Sequence, residues 1–134
     1  MAGKGGLARI DARILIEAQA RTIARHGGAP GLRDAGRLDA ALDRPLTVMG
    51  YEEQATPGRL AASVAHAIIT GHPFVDGNKR AGLLALAMEL RLHGLRLDAS
   101  QRDVYAAISG VAAGRMGEEA LAAFVDAHLI PWNG

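Results

Sequence analysis

The chain has no cysteine among its 134 residues. This excludes a disulfide framework, a thiol nucleophile and a cysteine-based zinc site, and it fits a reducing, cytoplasmic setting. Aromatic residues are scarce, with two Phe, two Tyr and one Trp, against 27 alanines. Alanine favours helix, while aromatic and β-branched residues favour strand, so the composition argues against an all-β sandwich or barrel. Neither sign of charge prevails: 15 Lys and Arg face 14 Asp and Glu. Without a basic excess or a basic run, nothing supports direct nucleic-acid binding. Long apolar runs are missing too. The longest, Leu83 to Met88, falls far short of the ~20 residues a membrane span needs. Met1 to Gly6 lacks the apolar stretch of a signal peptide.

Glycine, by contrast, is plentiful at 17 residues. It shows no collagen period, so it must punctuate helices or serve a site. A hydrophobic content of 49% with a net charge of +1 excludes disorder, and the length suits one domain. Residues 1–9 read as a flexible leader and 10–134 as one helical domain. Asp11 caps a first helix that ends at Gly27-Gly28. Asp34 caps a short second helix that Pro45 terminates, and Arg44 to Ala55 reads as a loop, a mobile flap carrying Glu52 and Glu53. Thr56-Pro57 opens a third helix ended by Gly71. A fourth runs from Asn78 to His93, and both of these are apolar enough to be central. Ser100 with Asp103 opens a fifth helix, fading at Gly110 or Gly114. Glu118 begins a sixth, which Pro131 stops. No strand is expected. The predicted fold is an all-α, compact, single-domain bundle of about six helices.

One stretch stands apart, His72-Pro-Phe-Val-Asp-Gly-Asn-Lys-Arg80. It sits between the two most apolar helices, where polar residues are not needed for packing. Gly77 lets the backbone approach a ligand without a Cβ in the way. The amides of the fourth helix's first turn lack intrahelical partners and, with the helix dipole, attract an anion. Lys79 and Arg80 add positive charge. Asp76 offers a carboxylate to Mg²⁺, which usually takes one or two carboxylates beside substrate phosphates. His72 could accept a proton from an attacking hydroxyl. Singly, each residue has an ordinary use: Asp76 or Asn78 as an N-cap, Lys79 and Arg80 as solvated charges, His72 as a loop histidine. Together they indicate transfer of a phosphate-containing group.

The stretch closely resembles the signature of the Fic/Doc superfamily, His-Pro-Phe-x-Asp/Glu-Gly-Asn-Gly-Arg-x-x-Arg. Lys79 replaces the second glycine and Leu83 the final arginine, both typical of the Doc (death-on-curing) branch. Gly27-Gly28-Ala-Pro-Gly31-Leu-Arg33-Asp34, followed by Leu38, Ala41, Leu42, Arg44 and Pro45, is similar to that branch's first turn and second helix. The resemblance implies the all-α Fic/Doc bundle and the toxin of a toxin–antitoxin pair. It implies a protein kinase that uses ATP and Mg²⁺ to phosphorylate a threonine of elongation factor Tu. The alternatives are Fic-type transfer of AMP to a protein hydroxyl and a non-catalytic regulatory module. By position, His72 would be the general base, Asp76 a catalytic residue and Mg²⁺ ligand, and Gly77, Asn78, Lys79 and Arg80 the phosphate-binding groups. Lys79 puts a long side chain where Fic enzymes need open backbone, and Leu83 removes a cation for an outer phosphate. Both changes disfavour the AMP-transfer pose. Fic enzymes are often silenced by a Ser/Thr-x-x-x-Glu helix, but no Ser or Thr here has Glu four residues on. Inhibition then falls to a partner, a Phd-like antitoxin whose disordered segment folds into a helix on an exposed groove.

The remaining polar residues have structural readings. His66 is expected to be a hydrogen-bonded core or interface residue, and His93 and His128 belong to helix ends. Trp132 is expected to pack on the bundle or stay partly exposed.

Overall fold

A computed structural model describes residues 8–133. Six helices follow one another: α1 (Ala12–His26), α2 (Ala35–Tyr51), α3 (Pro57–Gly71), α4 (Asn78–Leu92), α5 (Gln101–Ala112) and α6 (Glu118–Asp126). The expected all-α bundle is what the chain forms. Four helices start where a short polar side chain takes up a free amide: Asp11, Asp34, Thr56 and Ser100 accept from Arg13, Arg37, Arg59 and Asp103. Residues 1–7 of the expected leader lie outside the described residues, and Arg9 pairs with Asp39 at 2.8 Å and with Asp43. Among the described residues, no helix is long and apolar enough to cross a membrane.

α3 is the central helix, packed against α2, α4 and α6. Leu60, Val64, Ile68 and Ile69 are all buried along it, and each contributes roughly 1.5–3 kcal/mol by leaving water. One apolar cluster joins α3 and α4 to α5 and α6; a second joins them to α1 and α2. Gly82 allows the α3–α4 approach, because a Cβ there would lie 2.5 Å from Ile69 Cγ1 and 3.2 Å from the Ala65 carbonyl.

Five expectations need correction, the absence of strands among them. Pro45 does not end the second helix; it lies inside α2, buried with Leu42 and Val48. A proline costs a helix one hydrogen bond and some crowding, ~3 kcal/mol. Here the apolar face continues through it and is buried against the core, so packing overrides the local penalty. The flap is therefore mostly helix, and Glu52 lies 2.8 Å from Arg59 in an ion pair. The third helix runs through Gly71, one residue beyond the expected end at Thr70, and a left-handed His72 caps it. Finally, Pro131 does not stop α6, which ends at Asp126. Asp126 accepts from the Gly58 amide at 2.9 Å and from the Thr56 hydroxyl. Pro131 instead closes a short strand, β2 (Leu129–Pro131), antiparallel to β1 (Leu95–Leu97). Three residues are too few to show an alternating pattern in sequence.

Candidate active site

The site begins at the C-terminal end of α3. His72 has φ 52 and ψ 56, a left-handed conformation that disfavours any residue with a Cβ. Neighbouring groups hold it there. Arg37 donates to the Gly71 carbonyl at 2.8 Å, and Arg33 donates to the His72 carbonyl through Nε at 3.1 Å and through Nη2. The amides of Arg33 and Asp34 donate to the Pro73 carbonyl at 2.7 and 2.9 Å, and the Val75 amide donates to Gly31 at 3.0 Å. The turn before α2 thus grips the loop that carries the histidine. The His72 Nδ1 lies 3.2 Å from the Thr70 carbonyl. A carbonyl only accepts, so Nδ1 is the donor in this contact, and in the neutral imidazole that leaves Nε2 as the acceptor.

Asp76 is held next. Its Oδ2 accepts from the Ala29 amide at 3.2 Å and its Oδ1 from the Gly77 amide at 3.3 Å. Gly28 makes room, since a Cβ there would stand 3.2 Å from that Oδ2. Asn78 closes the loop: its Oδ1 accepts from the Phe74 amide and its Nδ2 donates to the Phe74 carbonyl, both at 3.0 Å. With Oδ1 engaged and Nδ2 already donating once, Asn78 keeps its backbone N–H and one Nδ2 hydrogen for an anion. Gly77 is the residue capping α4, with φ 71, and no side chain caps the helix. The N-cap reading of Asp76 and Asn78 is therefore overturned. The space a Gly77 side chain would fill is taken by α1, with Gln19 Nε2 at 2.5 Å and Ile23 Cδ1 at 3.0 Å. The glycine is thus required by what lies behind the loop.

His72, Asp76, Gly77, Asn78, Lys79 and Arg80 all line one cavity of about 760 Å³. Its other wall is α5, through Val104, Tyr105, Ile108 and Ser109, with Leu83 of α4 and Ile69 of α3. Tyr105 is 68% exposed, and Lys79 Nζ lies 5.9 Å from its ring centre, at the outer reach of a cation–π contact. Sequence reasoning missed this wall, because its residues alternate with buried ones on an ordinary amphipathic helix. It also missed Arg33 and Arg37 as braces of the His72 loop. Arg33 alone had a signal, its place in the turn resembling the Doc branch.

The carboxylate suits a hard cation. Asp76 is exposed on the cavity, and each oxygen, accepting one amide, keeps lone-pair capacity. Among the described residues no three His, Asp or Glu side chains gather. One exposed carboxylate is compatible with Mg²⁺, which usually takes only one or two carboxylates from the protein.

The chain is similar to two characterised proteins. It is 35% identical over 83 residues to the protein kinase doc of Escherichia phage P1, covering 62% of this chain and 66% of that protein. It is 38% identical over 74 residues to Toxin Doc of Mycolicibacterium smegmatis, covering 54% and 57%. The chain thus spans less than two thirds of the length of these relatives. A family model described as Fic/DOC family matches residues 9–90, from the ion-paired Arg9 through the whole His72–Arg80 loop and most of α4. With more than half of the chain matched, and the loop's residues gathered at one cavity, the protein belongs to the Fic/DOC family.

Proposed function

We propose that the protein is the toxin of a toxin–antitoxin pair. In this reading it is a Doc-like kinase that transfers the γ-phosphoryl of ATP to a protein hydroxyl. The acceptor that the family resemblance supplies is a threonine of elongation factor Tu. The observation that carries the reading is the cavity itself. A histidine with a free Nε2, an exposed carboxylate and an uncapped helix N-terminus flanked by two cations all face it. The relatives' names, a protein kinase and a toxin, point the same way.

His72 Nε2 accepts the proton as the threonine oxygen attacks the γ-phosphorus. The new O–P bond forms as the bond to the β–γ bridging oxygen breaks, and ADP leaves with that electron pair. Such a transition state spreads charge over the phosphoryl oxygens, so catalysis is largely positioning and electrostatics. Lys79, Arg80 and the first-turn amides of α4 supply the positive field. Asp76 would hold Mg²⁺, which when bound would offset the charge of the substrate phosphates. Leu83 lines the cavity where Fic enzymes carry an arginine, which favours phosphoryl transfer over AMP transfer. Silencing would come from a Phd-like antitoxin, and the working compartment would be the cytoplasm.

Incubation with ATP, Mg²⁺ and elongation factor Tu, followed by intact-mass measurement, tests the reading. A phosphoryl adduct on a threonine, absent with His72→Ala, is expected. An AMP adduct would replace kinase by nucleotidyltransferase. Growth inhibition that persists in His72→Ala would make the protein a non-catalytic module.

A further inference from the structure

Gln19 is a polar side chain, 3% exposed, in the middle of α1. Burying a primary amide is costly unless it is hydrogen-bonded. Its Nε2 donates to two successive carbonyls, those of Asp76 and Gly77, each at 3.0 Å. Its Oε1 is buried with no partner, so the amide is held there for its donor end. No peptide bond among the described residues is cis. In a trans peptide the C=O and the following N–H point in opposite directions. The Gly77 carbonyl also accepts from the Ala81 amide at 2.9 Å as the first bond of α4, so the pull that Gln19 adds is on the Asp76 carbonyl. The Gly77 and Asn78 N–H groups then point the other way, where Asp76 Oδ1 shares the Gly77 N–H at a long 3.3 Å. Both residues line the cavity, while Gln19 stands behind them. Gly77 in the left-handed region followed by helical Asn78 makes these two N–H groups converge, the backbone arrangement that binds anions. A Gly77 side chain would displace Gln19, at 2.5 Å.

We infer that Gln19 is a positioning residue for phosphate. It acts through the 76–78 backbone, aiming two amides at the transferring group without touching it. The inference rests on the phosphotransfer reading above, and its test separates the two. Gln19→Met keeps the length and removes the donor. Gln19→His restores an N–H donor. In ATP-dependent phosphorylation, Gln19→Met should lower kcat at least tenfold, leave KM for the acceptor protein unchanged, and be largely rescued in Gln19→His. In amide NMR titrations with inorganic phosphate alone, Gly77 and Asn78 should respond in the native protein. In Gln19→Met they should respond much less, while Lys79 and Arg80 still respond. Should Gln19→Met fold poorly, Gln19→Leu gives the second donor-free variant. A native kcat in the donor-free variants, or an undiminished or absent phosphate response at Gly77 and Asn78, overturns the inference. If the native protein transfers no group, the proposed function fails, and the phosphate titration still decides the role of Gln19.

Discussion

The two ends of α3 both gather charge, and they treat it differently. Near its N-terminus, Arg59 pairs with Glu118 and, at 2.8 Å, with Glu52. Arg44 reaches the same Glu118 at 3.0 Å, and His66 lies 3.9 Å from it. The hydrogen bond to Glu52, and then those to Glu118, hold the Arg59 pKa above its already high ordinary value. Every charge there has an opposite neighbour, and the cluster ties α2, α3 and α6 together. At the C-terminal end, no ion pair among the described residues joins Asp76, Lys79 or Arg80 to a neighbour, although all three border the same cavity. Neutralised charge holds helices in place; charge left open toward a cavity is available to a substrate. Abundance of charged residues does not tell these roles apart, but pairing does.

The sharpest way to break the contrast is to change each end and measure both activity and stability. His72→Ala should lower phosphoryl transfer by about 10²- to 10⁴-fold, the usual worth of a positioned general base, with the melting temperature unchanged. His72→Gly should be equally inactive yet melt higher, because glycine relieves the left-handed strain at that position, by about 1 kcal/mol. A lower melting temperature in His72→Gly would show that the loop is not strained. At the other end, Arg59→Ala should cost about 2 kcal/mol by leaving Glu118 less fully paired and keep kcat per folded molecule at the native value. Chemical denaturation with activity normalised to the folded fraction checks both. The Arg59 contribution should not vary with pH across the neutral range. Its folded pKa is raised, so the stabilisation is complete below the unfolded value and is lost only as pH rises through the folded one.

Arg33→Ala lies between the extremes, since Arg33 braces the His72 carbonyl and touches no reacting atom. A loss of about 1 kcal/mol in stability, as for one net hydrogen bond, should accompany a fall in kcat larger than any rise in KM. An unchanged kcat would place Arg33 with the structural charges. The smallest effect concerns Asp11, remote from both ends. The Arg13 amide lowers its pKa below the ordinary 3.8. Its stabilisation is therefore complete above that value and is lost as pH falls through the lower folded one. Asp11→Asn should flatten the acid limb of stability slightly and leave transfer untouched, as urea midpoints across the acid range would show.

Much of the helical frame was legible in the residues. Asp11, Asp34, Thr56 and Ser100 mark their helices because capping is a local bond, complete within three residues. The His72–Arg80 stretch was legible because its groups lie on one loop and one helical turn. Pro45 misled because its penalty is local while the burial that outweighs it comes from a face shared with Leu42 and Val48. The α5 wall, Gln19 and the strands β1 and β2 left no mark, because each acts only on residues distant along the chain. Asp76 and Gly77 lie 57 and 58 positions from Gln19.

The sequence by itself determined an all-α bundle, its helix starts, and a contiguous set of groups suited to phosphate chemistry. These follow from short-range physics: backbone propensity, capping, and the orphan amides of a helix's first turn. Only the tertiary structure decided which of those groups face the cavity and which are used in closing the loop. Asn78 turned inward to bond Phe74, Gly77 proved to be a glycine for the sake of α1, and His72 was forced into a conformation its own backbone disfavours. Such outcomes depend on what packs behind a residue, and that is set by the balance of burial and pairing over the whole fold.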